Sequence, residues 1–509
     1  MLFDVQLIWR MCFLALFLFP IYWILWIIYA RTLHPLAGIP GPWLASVSRV
    51  WIILKTRRGH MDEIQRALHA QYGPLIRIAP NEIACSEPEA IKQIYRTQAP
   101  LTKTDFYPPW RNTSMSKYPD NFSGTDEKLH SERRRIVNNV YTLSNVLQSE
   151  VYIDKCSNLF VEKMREFADK RTQVDLGEWL QWYAFDVIGE LYFGRMFGFM
   201  EFSRDQGNYI QSLDTLIPTI VTSAVSPTYI RPFILGSAII SSEARRALKA
   251  FDHIGDAARK CVAERMKTAA NPQDHTRRDL MHQLLEIVHS KGEKLDFGIH
   301  EVEFEAYVGL FAGSDTTAIA MRAVLYFLMT HPVEYSKVKA EIDQAATAGE
   351  LSSPVKYAEA LKLPYLCASI KEALRLHPSV GLTMPRISPM EGLNLCGHYI
   401  PKGYYVGMNA AVVQRDPRIF GTEVDEFRPS RWIDGDAKNM DKYMLHFGAG
   451  TRTCIGKNIS ICEIHKLIPT ILREFDLELA HPERPWETDD LWFNKQRGIH
   501  VKLGRRPQL

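Results

Sequence analysis

The stretch Phe447-Gly448-Ala449-Gly450-Thr451-Arg452-Thr453-Cys454-Ile455-Gly456 sets one cysteine among glycines, an aromatic ring and a cation. A cysteine standing alone is by default a small buried hydrophobe. Here the glycines let the backbone turn tightly and approach a flat ligand, while Phe447 offers an aromatic face and Arg452 a positive charge. The pattern predicts a helix from about Lys457 onward. A cysteine just before a helix N-terminus has its thiolate favoured by the helix dipole and by free backbone N–H groups, as a metal ligand requires.

Two further stretches lie upstream. Glu372-Ala373-Leu374-Arg375 places an acid and a base three residues apart on one helical face, a pairing common on ordinary surfaces. It runs into Leu376-His377-Pro378 and is followed by Phe427-Arg428-Pro429-Ser430-Arg431-Trp432. The other, Ala312-Gly313-Ser314-Asp315-Thr316-Thr317, sits inside a long apolar helix. Close packing of small residues would explain it. Yet glycine in a helix interior costs about 1 kcal/mol relative to alanine, and Asp and Thr are mediocre helix formers, so a second use is expected.

Together these stretches resemble the cytochrome P-450 superfamily, whose Phe-x-x-Gly-x-Arg-x-Cys-x-Gly signature the loop matches at every fixed position. The resemblance implies a mainly α fold, a helical prism with a small β-rich side, holding haem (iron protoporphyrin IX). Cys454 would be the metal ligand, with Phe447, Gly448 and Gly456 shaping the cofactor's seat and Arg452 meeting a haem propionate. Glu372, Arg375 and Arg431 would lock the backbone behind the loop. Thr316 and Asp315 would deliver protons during oxygen activation, and thiolate donation to haem iron favours O–O cleavage. Arg386 stands where the family often contacts a propionate. His130 and Arg134 fall on the family's Trp-x-x-x-Arg positions, with His in place of Trp. The Pro40-Gly41-Pro42 hinge and the Gly456-Lys457-Asn458-Ile459-Ser460 run look most like fungal microsomal members of secondary metabolism, the pisatin demethylase-like group.

The implied reaction inserts one oxygen atom from dioxygen into a hydrophobic small molecule, using electrons from NADPH passed by a flavoprotein reductase. Arg133, Arg135, Lys457 and Lys466 would offer that reductase a basic face. Phe106, Tyr107, Trp110, Phe122, Tyr307, Phe311, Val380, Leu382 and Thr383 would line the substrate pocket, suiting a bulky apolar guest. Rival readings are a haem-thiolate isomerase or dehydratase that does not use dioxygen, which the Asp315-Thr316 pair disfavours, and a non-catalytic membrane haem protein.

From Met11 to Ala30 the chain runs 20 residues without a charge, bounded by Arg10 and Arg31. As a helix this is roughly 30 Å long, enough for a bilayer's hydrocarbon core. The length and the lack of a small-x-small site argue against a cleaved signal peptide. Arg31, Arg49, Lys55, Arg57 and Arg58 follow it, so the positive-inside rule places the body in the cytosol, at the endoplasmic reticulum membrane. The expected organisation is a single-span anchor over 1–30, a stiff proline-rich hinge over 31–45 and one catalytic domain over 46–509.

The 61 basic and 58 acidic residues leave a net charge of +3 and no basic stripe, which argues against nucleic acid as a partner. Eight cysteines without a Cys-x-x-Cys pair fit buried free thiols in a reducing compartment. Periodicity predicts helices over roughly 61–72, 126–142, 150–168, 178–193, 243–267, 300–330, 333–346, 364–376 and 457–473. Short strands are expected near 75–84, 393–407 and the C-terminus. The region 202–242, apolar and broken by Pro218, Pro227 and Pro232, reads as irregular.

Overall fold

In the computed structural model, which describes residues 5–236, 241–269 and 277–507, the helices around the core begin where the sequence supplies a cap. Asp126, Asp175 and Asp279 accept the N–H groups of Leu129 (2.9 Å), Glu178 (3.1 Å) and His282 (2.9 Å). Each satisfies a donor that the first helical turn leaves unpaired, opening helices Glu127–Val137, Leu176–Ile188 and Leu280–Leu295. Glu301 opens the long helix Ile299–Thr330 by reaching back to the Gly298 N–H at 2.8 Å. Pro332 and Pro364 occupy the first turns of Pro332–Thr347 and Pro364–Leu376, where a missing N–H costs nothing.

Helix Leu176–Ile188 is buried at every position except Glu178 in its first turn, the mark of a helix surrounded by others. It lies against Ile299–Thr330, which also packs on Pro364–Leu376 and on the helix Lys457–Glu474 that follows the cysteine loop. These four form the centre. To one side stands a four-stranded sheet in the order Leu75–Ala79, Glu82–Cys85, Tyr405–Gly407, Arg386–Ile387, its middle pair parallel and the outer pairs antiparallel. Strands Glu487–Leu491 and Phe493–Arg497 make a hairpin that turns at Trp492. The expected mainly α architecture with a small β-rich side is what the chain adopts.

Most predicted helices fall within a few residues of the observed ones, and 61–72 and 364–376 coincide with Met61–Tyr72 and Pro364–Leu376. The expectation of irregularity over 202–242 is corrected. Tyr209–Val225 is a helix that buries Leu213, Leu216, Ile217 and Ile220 despite Pro218, and Arg231–Gly236 is a second, short one; residues 237–240 lie outside the described set. Leu280–Leu295 was not foreseen.

At the N-terminus Val5–Thr32 is helical, but the expected transmembrane crossing is not shown. Among the described residues no helix is long and apolar enough to cross a membrane, and the side chains of residues 5–12 and of Ala15 lie outside the described set. The helix end is fastened to the body: Trp26 Nε1 donates to Val47 O (2.8 Å), and buried Arg77 donates to Ala30 O (2.8 Å) and meets His34 Nδ1 (3.0 Å). The following chain presses so closely on the sheet that a Cβ on Gly41 would stand 2.4 Å from Arg77 O.

Candidate functional site

The cysteine loop is closed by Cys454 N–H donating to Phe447 O at 2.8 Å, with Gly448 and Gly450 at φ +70° and +67°, the left-handed region that glycine enters without steric cost. Gly450 also admits a neighbour, since a Cβ there would lie 2.1 Å from Tyr95 O. Behind the loop, Glu372 is fully buried. Its oxygens accept from Arg375 Nε and Nη2 (2.9 Å each), Arg431 Nε (2.8 Å), Trp432 Nε1 (2.9 Å) and Arg428 N (3.1 Å). Burial would raise its pKa, but the pairs with Arg375 and Arg431 outweigh it and hold the carboxyl below the usual range. Gln414, which sequence reasoning missed, ties this cluster to the loop. Its amide donates to Leu374 O (3.0 Å) and Arg375 O (2.9 Å), and its oxygen accepts from Leu445 N (2.7 Å) and His446 N (2.9 Å).

Cys454 faces an internal cavity shared with Phe447, Gly448, Arg452 and Gly456; across it stand Ala312, Gly313, Thr316 and Thr317 of the long helix. The expected ligand and the expected alcohol therefore look into one space. Burial pushes the Cys454 thiol up, opposed by the Gly456 N–H, Arg134 and the Lys457 N–H. The side chain opens onto the cavity, and coordination to a cation there would hold it as a thiolate outright.

The cavity wall is rich in cations. Lys103, Arg134, Arg386 and Arg452 all line it, and His130 lies just behind. Arg452 is paired with Glu127 (2.7 Å), and Arg386 Nη1 donates to Tyr107 OH (2.8 Å). Lys103 donates to Phe122 O (2.6 Å) and sits 4.1 Å from the Tyr107 ring centroid. Burial, then Arg452, Arg134, Lys103 and Arg386, push His130 down to about 3, and its Nε2 has no partner among the described residues. Burial, Arg386 and Arg452 likewise hold Lys103 well below the usual lysine range. So many cations around one space, with an orphaned ring nitrogen beside them, suit a bound group carrying anionic oxygens. A carboxylate-bearing macrocycle seated on Cys454 fits that donor set. No local pattern around Lys103 signals its part.

The small residues of the long helix also serve packing. A Cβ on Gly313 would lie 2.8 Å from Ile188, and one on Gly309 2.9 Å from the Tyr192 ring. Thr316 donates its hydroxyl to Ala312 O (2.8 Å) within an unbroken helix, and Ser379 Oγ donates to Thr316 O (2.8 Å). Asp315 does not line the cavity. It is buried between helices, where burial raises its pKa and Gln181 donates to it.

Of the expected pocket residues, Tyr107, Trp110, Phe122, Tyr307, Phe311 and Val380 line the cavity. Phe106 packs behind Trp110, and Thr383 bonds Gln65 (2.7 Å); neither they nor Leu382 line it. Trp492 and Phe493 do, Trp492 at φ +88° and packed against Trp110 and Phe122. Glu305 also reaches the wall; it accepts from Tyr141 OH (2.7 Å), which accepts from Tyr192 OH (2.9 Å). Lys466, expected on a docking face, is instead fully buried against Glu150 and Asp154 (2.7 Å each).

The family model described as Cytochrome P450 matches residues 40–503. The cytochrome P450 monooxygenase gsfF of Penicillium aethiopicum is 50% identical over 483 residues, 95% of this chain and 96% of that one. The cytochrome P450 monooxygenase ACRTS1 of Alternaria alternata is 39% identical over 375 residues, 73% of this chain and 99% of that one. A pisatin demethylase of Fusarium vanettenii is 34% identical over 479 residues, 93% of this chain and 90% of that one.

Proposed function

The chain belongs to the cytochrome P450 family, a haem-dependent family, and from that premise we propose that it is a monooxygenase of fungal secondary metabolism acting on a bulky apolar small molecule. The observation that carries the reading is the single cavity onto which Cys454, Thr316 and four cations open. When bound, the haem supplies the oxidising chemistry, drawing on dioxygen and two electrons.

The residues divide the remaining work. Cys454 Sγ is the iron ligand, held at the end of a loop that Gln414 and the Glu372 cluster keep in place. Arg134, Arg386 and Arg452 bind the haem carboxylates, with His130 behind them, and Phe447, Gly448 and Gly456 give the ring its seat. Thr316 Oγ1 passes protons into the cavity, and Asp315 stands behind it as the acid. The aromatic wall of Trp110, Phe122, Phe311 and Trp492 excludes water and orients the substrate.

Electrons come from an NADPH-dependent flavoprotein reductase. The helix Val5–Thr32 attaches the protein to the endoplasmic reticulum membrane, with the body in the cytosol. In support, Phe13, Phe17 and Phe19 are exposed on that helix, and exposed Tyr229 and Phe233 offer a second apolar contact.

Carbon monoxide tests the reading. The reduced protein should show the red-shifted Soret band of thiolate ligation, and Cys454→Ser should lose it. A band that survives the substitution rules out Cys454 as ligand and the function built on it.

A further inference from the structure

Neighbouring residues on a helix point about 100° apart, so Thr316 and Asp315 cannot both face the cavity squarely. Thr316 faces it. Asp315 instead turns toward helix Leu176–Ile188, where the Gln181 side-chain amide donates to its Oδ1. On its other side Gln181 Oε1 accepts from Arg322 Nη2 at 3.1 Å, and Arg322 is pinned by Nε to Gly177 O at 2.8 Å. Gln181, Asp315 and Arg322 are 3%, 2% and 2% exposed, so water does not compete for these bonds.

We propose that Gln181 is a positioning residue for the acid–alcohol pair, its amide wedged between Asp315 and Arg322 so that one carboxyl oxygen is held and the other is left to carry the proton. The inference rests on the roles given to Asp315 and Thr316 above. An amide placed between an acceptor and a guanidinium has only one satisfactory orientation, N–H toward the acid and oxygen toward the cation. That orientation favours the ionised carboxylate, against burial, which favours the neutral acid. Lys495 and Arg322 add to the first side and Asp214 to the second. Among the described residues Asp315 Oδ2 has no hydrogen bond. In the transfer, the Oδ2–H bond breaks as its proton passes to a water molecule bridging the two side chains, that water gives a proton to Thr316 Oγ1, and the Thr316 hydroxyl gives its own proton to the cavity. Asp315 is left as a carboxylate, which Gln181 stabilises until a proton returns from water near the Lys495–Asp214 pair (2.7 Å), whose Asp214 side chain is 44% exposed.

The test compares Gln181→Met, of similar size, with Gln181→Glu and Asp315→Asn, each checked for haem content and melting temperature. Infrared pH-difference spectra of the holoenzyme identify the Asp315 carboxyl as the band lost in Asp315→Asn. Losing one hydrogen bond to a charged acceptor should raise its midpoint by about one pH unit or more in Gln181→Met. Product formed per NADPH should fall several-fold alongside. Gln181→Glu can make both bonds while protonated, so its coupling should match wild type in acid and fail in alkali. An unmoved midpoint in Gln181→Met, or Gln181→Glu failing equally at every pH, overturns the inference. Unchanged coupling in Asp315→Asn instead overturns the acid–alcohol assignment itself.

Discussion

Replacing Glu372 with glutamine should cost about 3–5 kcal/mol of stability, although the side chain keeps its shape. Five donors converge on two oxygens, and both Glu372 and Arg375 are fully buried. Turning Oε2 into an amide nitrogen sets an N–H against Arg375 Nε and Trp432 Nε1; turning Oε1 opposes three donors. Even the better orientation loses two hydrogen bonds at the acid, each worth about 1.5–3 kcal/mol when one partner is charged. Those losses are part of the cost of leaving two buried guanidiniums without a counter-charge, which comes to about 3–5 kcal/mol in all. Urea unfolding of the holoprotein at pH 7, followed by circular dichroism, measures the difference. The pH dependence follows from the depressed pKa of Glu372. A carboxyl held below its unfolded value contributes stability that is fully present above that value, about 4.3, and is lost as pH falls through the folded value. The gap between wild type and Glu372→Gln should therefore stay constant from about pH 6 to 8 and narrow below about pH 4. A gap under about 1 kcal/mol at pH 7, or one that widens in acid, would refute the reasoning.

Glu463 is fully buried, neither of its oxygens has a partner among the described residues, and burial raises its pKa well above the usual range. With a raised folded pKa, the wild type loses roughly 1.4 kcal/mol per pH unit above about 4.3, so Glu463→Gln should be the more stable form at pH 7 and no better near pH 4; urea midpoints at the two pH values check this. Thr316→Ala should leave the haem spectrum intact while product per NADPH drops and hydrogen peroxide rises, since acid–base assistance contributes about 10²–10⁴-fold; unaltered stoichiometry removes Thr316 from the mechanism. Asn112, Asn121 and Asn458 each begin an N-glycosylation pattern, but Asn112 is buried and Asn458 Nδ2 donates to Tyr141 O (2.8 Å). Expressed in a eukaryotic host, the protein should run at one mass with and without an N-glycosidase, and a shift would reverse the proposed cytosolic orientation.

Some elements were missed although their signals were present. Leu280–Leu295 buries Leu280, Met281, Leu284 and Leu285 behind the Asp279 cap, a helical spacing visible in the residues themselves. Tyr209–Val225 is different in kind. Pro218 and a run of β-branched residues speak against a helix locally, and burial of its apolar face against Ser242–Ala269 overrides them.

The cysteine loop, the Glu372–Arg375 pair and the Thr316 stretch were legible in the sequence because each is a short contiguous segment whose chemistry depends on its own spacing. Where those segments meet was not written locally. Lys103, Arg134, Arg386 and Arg452 come from four separate parts of the chain, and only folding sets their charges around one cavity. Likewise, Asp315 stands beside Thr316 in sequence, but the turn of the helix sends its carboxyl to Gln181, 134 residues away, instead of to the cavity. Lys466 appeared as a surface charge and is a buried ion pair, because its neighbours Glu150 and Asp154 lie on a distant helix. Sequence spacing fixes what a side chain can do, and tertiary packing, which brings distant segments within a few ångströms, decides what it faces.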